Sequence, residues 1–362
     1  MGILQLFSKT LDVSVPVATN AIAVYAIGVV IGAPILTIGA ARLNRRTLML
    51  ILMGVFVIGN ALSGVSANLA MFALARFVSG LPHGAYFGAG AVVASYIVGP
   101  GRGGRAFAIV MTGLTVATIV GSPLATFLGQ VLGWRNTYFA ISVMGVFGFI
   151  ALWRCVPRTE ELRGGPITQE LSSLRKPAIW RVMLVAALGI SSIFAVYTFI
   201  GPLVTDVGGL ARRWVPIALA LFGVGMTGGN LIGGKLADAY PGWGLVAGFG
   251  SALIALALLG RCGHNVWILM AALFGVGMTT MIAIPTIQVR LTLAAPEAPA
   301  LMGAMNLAAL NVANALGAWI GGLTIAAGYG LLSPVWAGFG LCLLGLLISI
   351  MMLPRARELV PS

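Results

Sequence analysis

The feature that most constrains this chain is a near-unbroken succession of apolar runs. Each is about 20 residues long, the length a helix needs to cross the hydrocarbon of a bilayer. Hydrophobic residues make up 59% of the sequence and charged residues 8%, with a mean hydropathy of +1.04. A soluble chain must cover its outside with polar atoms, and this one has too few to do so. The solvent is therefore lipid. The alternating polarity of an outer-membrane barrel is missing, so the expected class is an all-α polytopic membrane protein.

The apolar runs read as 17–41, 47–66, 71–98, 105–128, 136–153, 177–203, 214–237, 242–259, 266–289, 298–327 and 334–353. The longest hydrophilic connection, 157–176, carries Glu160, Glu161 and Glu170 among several basic residues. It leaves an odd division, five spans before it and six after. A possible repeat accounts for the oddity. Gly32-Ala33-Pro34-Ile35 through Ala41-Arg42 matches Gly228-Gly229-Asn230-Leu231 through Ala237-Asp238, each a glycine-led helix end running into a charged turn. The halves are then in register if one helix precedes Val17, with Met1 to Phe7 as its tail. The expected organisation is an N-terminal bundle over 1–156, a cytoplasmic linker over 157–176 and a C-terminal bundle over 177–362.

The net charge of +13 does not point to nucleic acid. The basic residues sit in short connections, with no basic stripe and no aromatic interleaving for stacking. Arg42, Arg45 and Arg46 share one connection, Arg102 and Arg105 another, and a third group surrounds the longest. They alternate with nearly uncharged connections, so the charged side is expected to face the cytoplasm and the C-terminus to lie there too. Arg212 and Arg213 are the exception. Cys155, Cys262 and Cys342 lack metal-ligand spacing and read as inert apolar residues. No metal or other cofactor is expected. Glycine, at 50 residues, lets helices approach closely in lipid.

Four motifs in order carry a family resemblance. The first is the turn Ala41-Arg42-Leu43-Asn44-Arg45-Arg46, and the second its later counterpart Gly233-Gly234-Lys235-Leu236-Ala237-Asp238. The third is Arg76-Phe77-Val78-Ser79-Gly80-Leu81-Pro82-His83-Gly84 inside the third run. The fourth is Gly121-Ser122-Pro123-Leu124-Ala125-Thr126-Phe127-Leu128-Gly129 inside the next. With these the chain resembles the major facilitator superfamily, in its twelve-helix drug:proton antiporter branch and nearest the arabinose-exporter and chloramphenicol-resistance group. The resemblance implies two pseudo-symmetric helical bundles and about eleven complete spans here. It also implies a monomer in a bacterial inner membrane. The sequence departs from the family pattern at Arg42, where an aspartate is usual, and at Ser122, which separates Gly121 from Pro123.

The motif residues have physical readings of their own. Arg42, Arg45, Arg46, Lys235 and Asp238 sit where basic and acidic groups can close a cytoplasmic gate on neighbouring helix ends; positive-inside anchoring is the plain alternative. Arg76 lies inside an apolar run, where a guanidinium costs about 2.5–3.5 kcal/mol and calls for a polar partner or cavity. His83 lies seven residues on, along the same face, with Tyr86 nearby. It reads either as a proton relay or as a hydrogen-bonded core histidine. Gly121 and Pro123 predict a bend, and Gly129 completes the motif. Tyr197, Phe199, Asn306, Asn311 and Asn314 supply aromatic and amide groups for a cavity suited to an uncharged or amphipathic ligand.

Every acid falls in a loop, at a span end or in the tail: Asp12, Glu160, Glu161, Glu170, Asp206, Asp238, Glu297 and Glu358. Proton antiport needs a titratable group inside the membrane, usually a carboxylate. Two readings follow. The coupling acid lies on a first helix upstream, or this is a short chain, coupled through His83 or else a truncated or uncoupled transporter. A membrane-embedded enzyme would need paired acids, a metal cluster or a nucleophile with its base, and two histidines with no intramembrane acid argue against it. The expected function is secondary export of a small molecule, a drug such as chloramphenicol or a sugar such as arabinose, against protons.

Overall fold

The computed structural model describes residues 10–11 and 15–353, and all regular structure among them is helical. The expected remnant Met1 to Phe7 and the acids Asp12 and Glu358 lie outside the described residues. The main helices are α1 (Val15–Gly39), α2 (Arg45–Val65), α3 (Leu69–Val98), α4 (Gly103–Val116), α5 (Ser122–Leu132) and α6 (Trp134–Cys155). They continue as α7 (Ile167–Ser173), α8 (Pro177–Tyr197), α9 (Val215–Ala239), α10 (Trp243–Cys262), α11 (Val266–Ala294), α12 (Pro299–Ala326) and α13 (Ser333–Met351). Nine helical segments among the described residues are long and apolar enough to cross a membrane. The class is therefore an all-α polytopic membrane protein.

Local chemistry explains the boundaries. The side chain of Asn44 accepts the Arg46 amide at 3.0 Å and so caps α2,. The span expected over 105–128 is divided by a π turn, Ala117–Gly121, just before Pro123. Proline has no amide hydrogen to donate, and one wider turn absorbs the mismatch. The span expected to run unbroken to 203 instead ends at Tyr197, and a short helical turn, Ile200–Pro202, leads into a second π turn, Leu203–Val207. Gly201 and Pro202 both disfavour a continuous helix there. Helix α11 runs past the expected end at 289 to Ala294, because no breaker intervenes before Pro296. The central connection is partly helical: α7 forms within it and its Glu170 is buried.

Packing divides the chain into two compact units whose limits do not follow chain order. The first holds 1–97, 120–176 and 295–311; the second holds 98–119, 177–294 and 312–362. In the first unit, Leu48, Met49 and Leu52 of α2 bury against Ala85, Ala89 and Val93 of α3, with Val156 and Leu162 closing the cluster. A second cluster joins Phe72, Trp134 and Tyr138 through edge-on ring contacts.

The same device appears once in each unit. A Cβ on Gly28 or Gly32 of α1 would strike the backbone of Phe77 or Leu81 on α3. A Cβ on Gly225 or Gly229 of α9 would strike Phe274 or Met278 on α11. In return, Gly80 of α3 lies against the Tyr25 carbonyl, and Gly277 of α11 against the Phe222 carbonyl. Small residues four apart let two backbones touch in lipid. These contacts pair Gly28 with Gly225, Gly32 with Gly229, Tyr25 with Phe222 and Gly80 with Gly277. They correct the sequence alignment, which set Gly32 against Gly228, by one residue. The counterpart of Asp238 is then Ala41, not Arg42.

Candidate functional site

In the first unit α3 supplies a row of functional side chains, and α1, α2 and α6 supply their partners. The Arg76 guanidinium carbon lies 4.3 Å from the centre of the Tyr25 ring and 5.3 Å from that of Tyr138. Its Nη1 donates to Asn60 Oδ1 at 3.4 Å. The cation is thus held by two ring faces and an amide, and among the described residues it has no carboxylate partner,. The Tyr25 hydroxyl lies 2.8 Å from His83 Nδ1. The His83 ring stacks on Phe87 at 5.2 Å, and Tyr86 meets Phe87 edge-on. Pro82 inside α3 contributes no amide hydrogen, which leaves this stretch of helix one bond short,.

A cavity of about 270 Å³ opens beside this row, lined by Tyr25, Leu52, Met53, Phe56, Pro82, His83, Tyr86 and Phe87. Its walls are aromatic and aliphatic, with the His83 imidazole and two phenol hydroxyls as polar groups. Such a surface fits an uncharged or amphipathic molecule. With its proton on Nε2 the His83 ring accepts from the Tyr25 hydroxyl, and with Nδ1 protonated it donates to the Tyr25 oxygen,.

The loop motif is distributed over both units. In the first, Arg45 Nη2 meets Glu170 Oε1 at 3.3 Å, with both side chains buried. Arg46 donates through Nη2 to the Trp153 carbonyl, and Asn44 donates to the Thr159 carbonyl at 2.7 Å. Burial pushes the Glu170 carboxyl up from the usual carboxylate range, and Arg45 opposes that rise,. At the rim Lys176 Nζ pairs with Glu297 at 2.6 Å, which draws the Glu297 carboxyl down. Arg42 is exposed. In the second unit Asp238 accepts the backbone N–H groups of Gly104 at 2.7 Å and Arg105 at 3.0 Å. The carboxylate therefore caps the N-terminus of α4, where free amides and the helix dipole favour an anion. Lys235, one turn earlier, is exposed.

The other expected site residues are divided between the two units. Tyr197 packs on Phe222 with ring centres 5.5 Å apart, and Phe199 lies beneath Gly321 of α12. Asn306 is buried in the first unit. Asn311 donates to the Leu307 carbonyl of its own helix at 2.9 Å, while Asn314 is exposed. Gly129 is buried in α5, and the Pro123 side chain lies outside the described residues. Sequence reasoning missed Tyr25, Asn60, Tyr138 and Glu170. Asn60 had a signal, an amide in mid-run, whereas the aromatic partners look like any other ring in an apolar helix.

Spans of this length, with a cation and an imidazole beside a cavity in one of the packed units, define a polytopic membrane protein with a candidate ligand cavity. The Major Facilitator Superfamily profile matches residues 1–307. The chain belongs to that superfamily, which is one of transporters and not of enzymes. It is 36% identical over 334 residues to the inner membrane transport protein YdhP of Escherichia coli, covering 91% of this chain and 85% of that one. It is 30% identical over 356 residues to the chloramphenicol resistance protein of Streptomyces lividans, covering 97% and 89%. Among solved structures, the transporter FucP in its outward conformation superposes with a TM-score of 0.72 at 14% identity, covering 98% of this chain and 97% of that one. The fold is the major facilitator fold.

Proposed function

We propose that this transporter exports a small, uncharged or amphipathic molecule from the cytoplasm by alternating access, in exchange for protons. The observation that carries the reading is the set Arg76, Tyr25 and His83 along an aromatic cavity. Here His83 is the proton carrier, Tyr25 its hydrogen-bond partner and Arg76 the fixed charge that holds Tyr25 in place. Tyr86 contacts substrate, and Tyr197, Phe199, Asn306, Asn311 and Asn314 complete the path in other conformations. Gly121, Pro123 and Gly129 let the helix flex. Arg42, Arg45, Arg46, Lys235 and Asp238 form the cytoplasmic gate. In this reading 1–156 and 177–362 are the two moving bundles, 157–176 joins them, and the protein works as a monomer in a bacterial inner membrane with its C-terminus in the cytoplasm. A relative named for chloramphenicol resistance makes aromatic amphipathic drugs the first substrates to try, with sugars such as arabinose second.

Everted vesicles carrying the protein decide the matter. Imposing an acidic interior should drive accumulation of a substrate found by a drug and sugar panel. His83→Gln should abolish the response to the gradient while leaving downhill exchange. A gradient without effect on any transported compound would remove proton coupling and favour a second reading, uncoupled transport. One observation supports that alternative: among the described residues each acid lies in a connection or close to a helix end, none in the middle of a span.

A further inference from the structure

The second unit carries a recess of about 280 Å³ that the transport reading does not use. It is lined by Ala178, Arg181 and Val182 at the start of α8, by Arg290, Leu293 and Ala294 at the end of α11, and by Met352 after α13. Two guanidinium groups therefore converge on one hollow where three helix ends meet, and among the described residues no carboxylate lines it. Arg290 is oriented by one bond, from Nη2 to the Met352 carbonyl at 2.8 Å. Its Nη1 is buried and has no partner among the described residues. Arg181 is exposed and makes no ion pair with a described acid. A cation shielded from water and left partly unpaired calls for an anion, and guanidinium forks match phosphate oxygens.

The surroundings point to the source of that phosphate. Leu293 is 65% exposed and Met351 83% exposed, so apolar side chains stand open beside the recess. Trp180, also exposed, neighbours Arg181 at the helix start, the position an interfacial tryptophan favours. A soluble ion would use only the arginines. A lipid uses both features, its headgroup phosphate on the forks and its chains along the apolar rim. We propose that this recess binds the phosphate of an anionic membrane lipid. The assignment goes beyond the transport function and stands whether or not protons are coupled.

The test uses the purified full chain in detergent, with fluorescent phosphatidylglycerol as the probe and phosphatidylcholine and inorganic phosphate as competitors. Wild type should bind phosphatidylglycerol and resist competition by phosphatidylcholine. Arg181→Ala and Arg290→Ala should each weaken binding about fivefold, the effect of one basic residue at an anionic surface. Arg181 is exposed and has no hydrogen-bond or ion-pair partner among the described residues, so its variant reports on binding even if Arg290→Ala fails to fold. Glu358→Gln should leave binding unchanged. The proposal is overturned if both arginine variants that fold bind as wild type does, or if phosphatidylcholine competes equally. It also falls if inorganic phosphate alone displaces the lipid, or if Glu358→Gln tightens binding, which would make the tail's own carboxylate the occupant.

Discussion

The helix pair α1 and α3 of the first unit and the pair α9 and α11 of the second are built on one plan and filled differently. Gly28 and Gly32 close onto Phe77 and Leu81 as Gly225 and Gly229 close onto Phe274 and Met278. In that register Arg76 corresponds to Leu273, His83 to Thr280, Tyr25 to Phe222 and Arg45 to Gly242. Each of these charged or titratable groups, three in the first pair and Arg45 at the start of α2, thus corresponds to a neutral residue in the second unit. Backbone contact fixes the scaffold in both copies, and side-chain chemistry is free to diverge where the backbone does not touch. In the second unit the loop motif's Lys235 is exposed, and its Asp238 caps the start of α4.

The comparison breaks most sharply at Arg45. Arg45→Ala leaves Glu170 buried and unpaired, which should cost about 3–5 kcal/mol, whereas a change at Gly242 touches no charge. The pH dependence has a definite sign. Glu170 is raised in the folded state, so its contribution is complete below the ordinary carboxylate range and is lost as pH rises through the folded value,. Removing Arg45 raises that value further. Thermal melts of Arg45→Ala should therefore recover towards wild type on acidification, and the double variant with Glu170→Gln should recover at neutral pH. A deficit independent of pH would show that Arg45 acts through packing alone.

The shared plan itself is tested by Gly32→Val and Gly229→Val. Both should destabilise by about 1–3 kcal/mol or more, because backbone atoms must move apart. Melting temperature and monodispersity on size exclusion read the result. If only one of the two is harmful, the copies are not packed by the same device.

The divergence is sharpened by Tyr25→Phe, which copies Phe222 into the first unit. It keeps the ring beneath Arg76 and removes only the bond to His83, about 1 kcal/mol. Stability should change little and proton-driven uptake should fall while downhill exchange persists. Arg76→Leu, copying Leu273, should lose both forms of transport in a protein that still folds. The smallest effect belongs to the rim pair. Glu297→Gln should cost less than about 1 kcal/mol, since both partners of the pair are partly exposed. Glu297 is lowered in the folded state, so wild type should lose this small contribution as pH falls through the folded value,.

Much of the fold was legible before any coordinates, since span length and apolarity follow from the cost of bare backbone in lipid. The break after Tyr197 and the π turn before Pro123 were harder to place. Proline and glycine mark where a helix is weakened, but neighbouring packing decides whether it bends or ends. Of the site, Arg76 and His83 stood out because a charge or an imidazole is expensive in an apolar run. Tyr25 and Tyr138 did not, because a tyrosine is cheap there and its partner comes from another helix.

That the chain lives in lipid as a series of helices follows from its residues alone, because only internally bonded backbone survives that solvent. The residues also determined the superfamily, through motifs held within single helices and turns. The tertiary structure alone decided which helices meet, that Arg76 rests on Tyr25 and that Glu170 turns inward to Arg45. It also set the true register of the repeat. Those facts depend on contacts between residues far apart in the chain, and local propensity carries no information about them.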